Sequence, residues 1–271
     1  MNKQFSSTGL FNKKIAVISD IHSNVVALNS VKSELYKLNV DCIIILGDLL
    51  TYGCHPQEVI DTLKNFKHDF PIYFVKGNHD QFYFNYRSGV PISSYEIPGY
   101  IEDSINWTLK NINEDLSTAF NWYESIKIGS LYLSHANPYE YGDWGYLNND
   151  EECKSAAEVL KNNGYKIGVF GHTHRHKSIY VKNNIIQEGV KDSSFEYDSI
   201  NDEVLILNSG SIGQPRGNGA SFLIFDLTDK IINYHLIEID PDLDEHISAI
   251  KSSSLPENTK VKLISFFGEV E

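Results

Sequence analysis

The chain is poor in several things, and each shortage excludes something. It has three cysteines, Cys42, Cys54 and Cys153, and no CxxC pair. Neither a disulfide framework nor a structural zinc knuckle is expected, and free thiols fit a reducing compartment. Cys42 sits in the apolar run DCIIILG and reads as a small buried hydrophobe. No stretch reaches the roughly 18 apolar residues that would span a bilayer. The first residues, MNKQFSSTGLFNKK, lack the apolar segment of a secretory signal, so a cytoplasmic protein without membrane association is expected. Positive charge is scarce: 23 Lys and Arg stand against 36 Asp and Glu, a formal net charge of -13. That field repels polyphosphate backbones, so stable nucleic-acid binding is not expected. A small anionic substrate is still compatible, because bound cations reverse the local sign inside a pocket.

What is present is patterned. Lys14–Ser19, Cys42–Leu46 and Ile72–Val75 are short apolar runs, each read as a buried strand. Between them Val25, Leu28, Val31, Leu35 and Leu38 recur at helical spacing behind Asn24, a candidate N-cap. Residues 56–66 read as a second helix with Pro56 in its first turn. Strand and helix alternation predicts right-handed crossovers and a mainly parallel sheet. Residues 82–125 are rich in aromatics and read as a partly helical insertion, with Ile105, Leu109, Ile112 and Leu116 as its stripe. Gly129 and Ser130 between two apolar runs predict a hairpin. A helix near 151–162 ends before Gly164, and a strand at Ile167–Phe170 follows. From about 177 only strands are expected, with a surface loop near 189–202 and one or two helices in a tail from about 241 to 271. Residues 1–12 read as a flexible lead-in. The whole chain, 1–271, is taken as one domain.

The polar turns carry the chemistry. Each follows a predicted strand: Asp20 and His22 (D-x-H), Asp48 (GD), Asn78 and His79 (GNHD), His135, then His172 and His174 (GHTH). Groups beyond the carboxyl ends of strands converge where open α/β sheets bind ligands. Imidazole, carboxylate and one amide oxygen suit borderline divalent ions. A carboxylate shared by two such ions about 3.5–4 Å apart would let them clamp a phosphate and activate water, while a nearby acid assists the leaving oxygen. Each motif alone is weak; their joint order is not. His55 and His176 lie near motifs and could line the pocket. His68, His235 and His246 read as surface or structural, and Asp80 as a helix cap.

In this order the motifs resemble the signature of the calcineurin-like metallophosphoesterase superfamily, over about residues 15–216. The resemblance implies an α/β, four-layer αββα sandwich, with two packed mixed β-sheets flanked by helices. It implies two divalent metal ions, manganese first among candidates that include iron, zinc, nickel and cobalt. Asp20, His22 and His174 would hold one ion and Asn78, His135 and His172 the other. Asp48 would bridge them, and His79 would be the catalytic acid. NSGSIGQPR resembles a turn of small prokaryotic members, in which Asn208 and Ser211 would shape the loop and Arg216 would reach the phosphate.

Departures narrow the substrate. Where Ser/Thr phosphatases of the superfamily carry GD-x-V-D-R-G, this chain has GDLLTYG. Thr51 replaces the aspartate that orients the histidine, and Tyr52 replaces a phosphate-binding arginine. A small phosphodiester or phosphomonoester, with a nucleotide-like one among them, is the expected substrate. A protein phosphatase, a dinucleoside polyphosphate hydrolase and a silent binding scaffold are the alternatives. Tyr139, Tyr141, Trp144 and Tyr146 follow His135 and would either stack on a base or pack the loop onto the 82–125 insertion.

Overall fold

Alternate residues of Lys13–Ile18 point into two different cores. Ile15 and Val17 pack with Ile44, Ile128, Leu131, Val169 and Leu207. Ala16 and Ile18 pack with Leu28, Val31, Leu35, Leu63 and Phe66. A strand buried on both faces needs a layer on each side. The layers on its two sides are a second sheet and a pair of helices.

The computed structural model describes residues 4–6, 9–196, 203–217, 219–228 and 231–268. The strands are β1 (Gln4–Ser6), β2 (Lys13–Ile18), β3 (Cys42–Ile45), β4 (Ile72–Val75), β5 (Trp122–Tyr123), β6 (Ser125–Ile128) and β7 (Leu131–Leu133). They continue as β8 (Ile167–Phe170), β9 (His176–Lys182), β10 (Ile185–Glu188), β11 (Asp192–Glu196), β12 (Glu203–Ser209), β13 (Ala220–Leu227) and β14 (Ile231–Ile239). The helices are α1 (Val25–Leu38), α2 (Pro56–Asp69), α3 (Asn78–Arg87), α4 (Gly99–Lys110), α5 (Leu116–Ala119), α6 (Asp150–Asn162), α7 (Leu243–Ser252) and α8 (Glu257–Ile264).

One seven-stranded sheet has the order β11-β14-β13-β2-β3-β4-β5, the other β1-β6-β7-β8-β12-β9-β10. Both are mixed. β2, β3, β4 and β5 run parallel, while β13 joins β2 antiparallel with Ile224 opposite Ala16. In the other sheet β8 is parallel to β7 and β12, and β9 is antiparallel to β12. Outside this second sheet α6 closes a further core of Cys153, Ala156, Leu160, Phe170 and Ile206. The result is the αββα sandwich.

Local signals act as expected at several points. Asn24 caps α1 by accepting the Ala27 N–H at 3.0 Å. Pro56 opens α2. β6 and β7 form the hairpin, with Ile128 opposite Leu131.

Some expectations do not hold. Within the lead-in, Gln4–Ser6 is a strand that pairs parallel with β6, and Phe5 packs on Tyr73 and Tyr123. Its order comes from tertiary pairing, which three residues cannot signal. The 189–202 stretch holds β11, paired along β14 at the sheet edge; residues 197–202 lie outside the described set. The 105–116 stripe is broken: α4 stops at Lys110, and α5 starts anew behind the Asp115 cap. Trp122 and Tyr123 belong to the main sheet. The tail forms two helices, α7 and α8. Among the described residues, no helix is long and apolar enough to cross a membrane.

Candidate metal centre

The turns after β2, β3, β4, β7 and β8 meet at the carboxyl ends of the two sheets. The backbone is bent hard there. Asp20, His22, Asp48, His172 and His174 all have positive φ, between 47° and 65°. Non-glycine residues hold that conformation only where their surroundings enforce it, at about 1–3 kcal/mol each. The enforcement is visible. Asp20 and His22 donate backbone N–H bonds to the carbonyls of Gly47 and Asp48. Asp80 caps α3 and also ties the GD turn, accepting from Gly77, Asp48 and Leu49 N–H at 2.8, 2.8 and 3.1 Å. Ser211 donates to the Asp20 carbonyl at 2.8 Å, and Asn208 donates to that of Gly171. Two glycines are required by close approach: a Cβ on Gly77 would fall 2.1 Å from Asp48 Oδ1, and one on Gly171 would fall 1.9 Å from Ser19 Oγ.

Two side-chain groups result. Asp20, His22 and His174 form one, and Asp48, His135 and His172 the other; all six are buried. Asn78, the first residue of α3, places Oδ1 3.0 Å from His135 Nε2. Asp48 lies between the groups. Its Oδ2 is 3.3 Å from His135 Nε2 and 3.8 Å from His22 Nε2. Its Oδ1 accepts the His79 N–H at 2.9 Å.

The outer nitrogens fix the tautomers. Nδ1 of His22, His135 and His174 faces the carbonyls of Leu50, Leu46 and Gln214. A carbonyl only accepts, so each Nδ1 carries the proton. Each Nε2 then points inward. His172 is reversed: its Nε2 donates to the Trp144 carbonyl at 2.9 Å and its Nδ1 faces inward.

Electrostatics agree. Burial pushes His22 well below its ordinary value, His172 down to about 3 and His79 down to about 4, so all three are neutral near pH 7. The close His22–Asp20 and His22–Asp48 approaches are therefore not ion pairs. Burial alone would raise both carboxyls. His174 reverses this for Asp20, and His135 above all reverses it for Asp48, which stays well below the carboxylate range. His135 is lowered by burial but raised more by Asp48, to about 9.

In the Asp20 group the inward nitrogens have no mutual hydrogen bond to make. His22 Nε2 and His174 Nε2 are two lone pairs 3.1 Å apart. His135 Nε2 and His172 Nδ1 are 3.2 Å apart. The buried Asp20 Oδ1 has no donor. Facing acceptors repel unless a cation lies between them. Metal–ligand bonds of about 2.0–2.2 Å would set neighbouring ligand atoms roughly 3.0–3.5 Å apart, which is the spacing found. Imidazole with carboxylate suits manganese, iron or zinc. The residues therefore fit two divalent cations.

A model of the calcineurin-like phosphoesterase superfamily domain matches residues 14–230. The chain belongs to that superfamily. It is a metallophosphoesterase, and its two Asp/His groups could each hold a metal ion. The Uncharacterized protein MJ0912 of Methanocaldococcus jannaschii is 33% identical over 250 residues, 90% of this chain and 94% of its own. Two solved structures share the fold. A metallophosphoesterase from Sphaerobacter thermophilus has a TM-score of 0.66 at 24% identity, covering 94% of this chain and 99% of its own. The hypothetical protein PH1004 from Pyrococcus horikoshii OT3 has a TM-score of 0.71 at 20% identity, covering 92% and 97%.

Other expected site residues fall as follows. His79 is buried beside the groups, ringed by His22, Tyr52 and Phe82 at 5.2, 4.8 and 5.7 Å. Its Nδ1 is buried without a partner. Thr51 does not orient it; the Thr51 hydroxyl pairs with Tyr83 at 2.7 Å. Arg216 lies at the rim, its N–H donated to the His174 carbonyl and its guanidinium bonded to Gln214 at 3.1 Å. His55 opens α2, 6.3 Å from the His246 ring, and His176 faces a separate groove of about 530 Å³ with Asn208 and Tyr234. The residues of the aromatic loop divide. Tyr141 bonds Gln81 and packs on Trp144, whereas Tyr146 stacks on His172 at 4.3 Å and stays 44% exposed. Sequence reasoning missed Tyr100 and Phe266, which approach Tyr52 at 6.3 Å each. No motif marks them, since they arrive from α4 and the tail.

Proposed function

We propose that this chain is a dinuclear metal-dependent hydrolase of a small phosphodiester or phosphomonoester, with manganese first among its candidate metals. Asp20, His22 and His174 would hold one cation and Asn78, His135 and His172 the other, with Asp48 Oδ2 common to both. The observation that carries this is the convergence of inward ring nitrogens on buried carboxylates, His22 and His174 at 3.1 Å in the Asp20 group and His135 and His172 at 3.2 Å in the Asp48 group. When bound, such a pair of cations neutralises phosphate charge and supplies activated water.

The chain's own residues supply the rest. Carbonyl partners lock the imidazole tautomers and so aim the ligand atoms. Asp48 Oδ1 anchors the start of α3, which sets His79 facing the cleft. His79 is neutral near pH 7, so its role is to donate a hydrogen bond to the leaving oxygen. Arg216, at the rim, would meet a non-reacting phosphate oxygen. Tyr52, packed on His22 and His79, leaves no guanidinium at that position, which disfavours a protein-phosphatase reading.

The test is turnover by the metal-reconstituted chain. Bis-p-nitrophenyl phosphate and p-nitrophenyl phosphate are assayed with manganese, iron, cobalt, nickel and zinc in turn. Hydrolysis of either ester with manganese is expected. No turnover with any of the five metals refutes the proposal.

A further inference from the structure

The last two helices carry no metal ligand, yet they build one flank of the cleft. Their core joins Ile250, Leu255 and Leu263 to Tyr52, and Tyr100 and Phe266 pack against its edge. There Phe266 and Tyr100 stay part-exposed, 6.1 Å apart. Each stands 6.3 Å from Tyr52, which packs on His22 at 4.6 Å. In the other ligand group, Tyr146 has one face on His172 and is 44% exposed.

Cations gather on the same flank of an otherwise acidic chain. The Arg216 guanidinium lies 5.0 Å from the Phe266 ring centre, and Lys262 Nζ lies 4.7 Å from it and 5.8 Å from that of Tyr100. Arg216 Nε is buried without a partner. Part-exposed rings, a spare donor and two cations beside a phosphate-type metal centre suit a ligand that is both anionic and planar.

We infer that the C-terminal segment completes the substrate site, with Tyr100 and Phe266 beside Tyr52 receiving a planar aromatic group, such as a nucleobase, carried by the phosphoester. This rests on the hydrolase reading above and narrows it. Arg216 and Lys262 then balance the charge of the phosphate end.

The test reads binding, not turnover. Calorimetry on the manganese-loaded full chain compares adenosine 5′-monophosphate with methyl phosphate, two monoesters of equal charge. Base stacking is worth about 5- to 150-fold in affinity, so at least about 10-fold tighter binding of the nucleotide is expected. Tyr100→Leu and Phe266→Leu should each lower that ratio about fivefold or more. Tyr100→Phe and Phe266→Tyr should restore it, and Val261→Ala, exposed on α8, should keep it. Equal affinity for the two ligands, or a ratio untouched by both leucine variants, overturns the inference. Discriminating binding with no hydrolysis of any ester sinks the hydrolase reading and leaves the aromatic site; hydrolysis without discrimination does the reverse.

Discussion

Asp48→Ala should empty both metal positions at once. Every other proposed ligand serves one group, whereas Asp48 Oδ2 faces His135 Nε2 at 3.3 Å and His22 Nε2 at 3.8 Å. Loss of a hydrogen-bond partner behind a ligand typically costs 10–100-fold in affinity. Loss of a ligand common to both ions should exceed roughly 100-fold at each. The same substitution strands the buried His79 N–H, now held at 2.9 Å, for about 1–3 kcal/mol of stability. Asp48→Asn separates the two effects, because its amide oxygen can still accept that N–H while the charge is gone. Metal per chain is measured by elemental analysis after equilibration with manganese, alongside a thermal melt of metal-free protein. The wild type should hold two ions, and both variants far less than one at the same free manganese. The asparagine variant should melt close to the wild type, the alanine variant lower. Two ions per chain in either variant refutes the bridge.

Further expectations test other parts. His79→Ala should keep both metals and slow hydrolysis of an alkyl ester roughly 10²–10⁴-fold, and less for a p-nitrophenolate leaving group; an unchanged alkyl-ester rate removes His79 from the mechanism. Gly171→Ala should weaken metal binding although no ligand is replaced, because its Cβ would also lie 2.7 Å from Asp20 Oδ2; unchanged manganese affinity contradicts this. Asn24→Ala should cost about 1 kcal/mol in a denaturant melt through the lost α1 cap, and more because Asn24 Nδ2 also holds the Gly213 carbonyl at 3.0 Å. Acid should loosen the tail through His246. Burial, and then His55, lower it from 6.5 to about 3, so folding favours the neutral ring. Its contribution is intact above pH 6.5 and is lost as pH falls toward 3, with about 2 kcal/mol gone by pH 5. His246→Leu should flatten that part of the melting profile; an unaltered slope counts against the buried neutral histidine.

How far the sequence reaches can be seen residue by residue. The proposed ligands were legible because each polar turn follows an apolar strand, and a strand buried on both faces gives an unbroken apolar run. Asn24, Pro56 and the Gly129–Ser130 turn were legible because caps and turns are local. β1 and β11 were not. Each is short, lies at a sheet edge and is ordered by a partner far along the chain, so no periodicity marks it. The α4 stripe misled because Ile105 and Leu116 enter one core from two helices, with a break between them. Asp80 was legible as a cap, though not as the carboxylate that also ties Asp48 and Leu49. The aromatic flank is the clearest limit. Tyr52, Tyr100 and Phe266 are separated by up to 214 positions in the numbering, and only the docking of α7 and α8 brings them together.

The most direct test of the central claim is anomalous diffraction from a manganese-equilibrated crystal. Two manganese peaks are expected, one between Asp20, His22 and His174, the other between Asn78, His135 and His172, with Asp48 Oδ2 bound to both. A single ion, or two ions that do not share Asp48, would contradict the account.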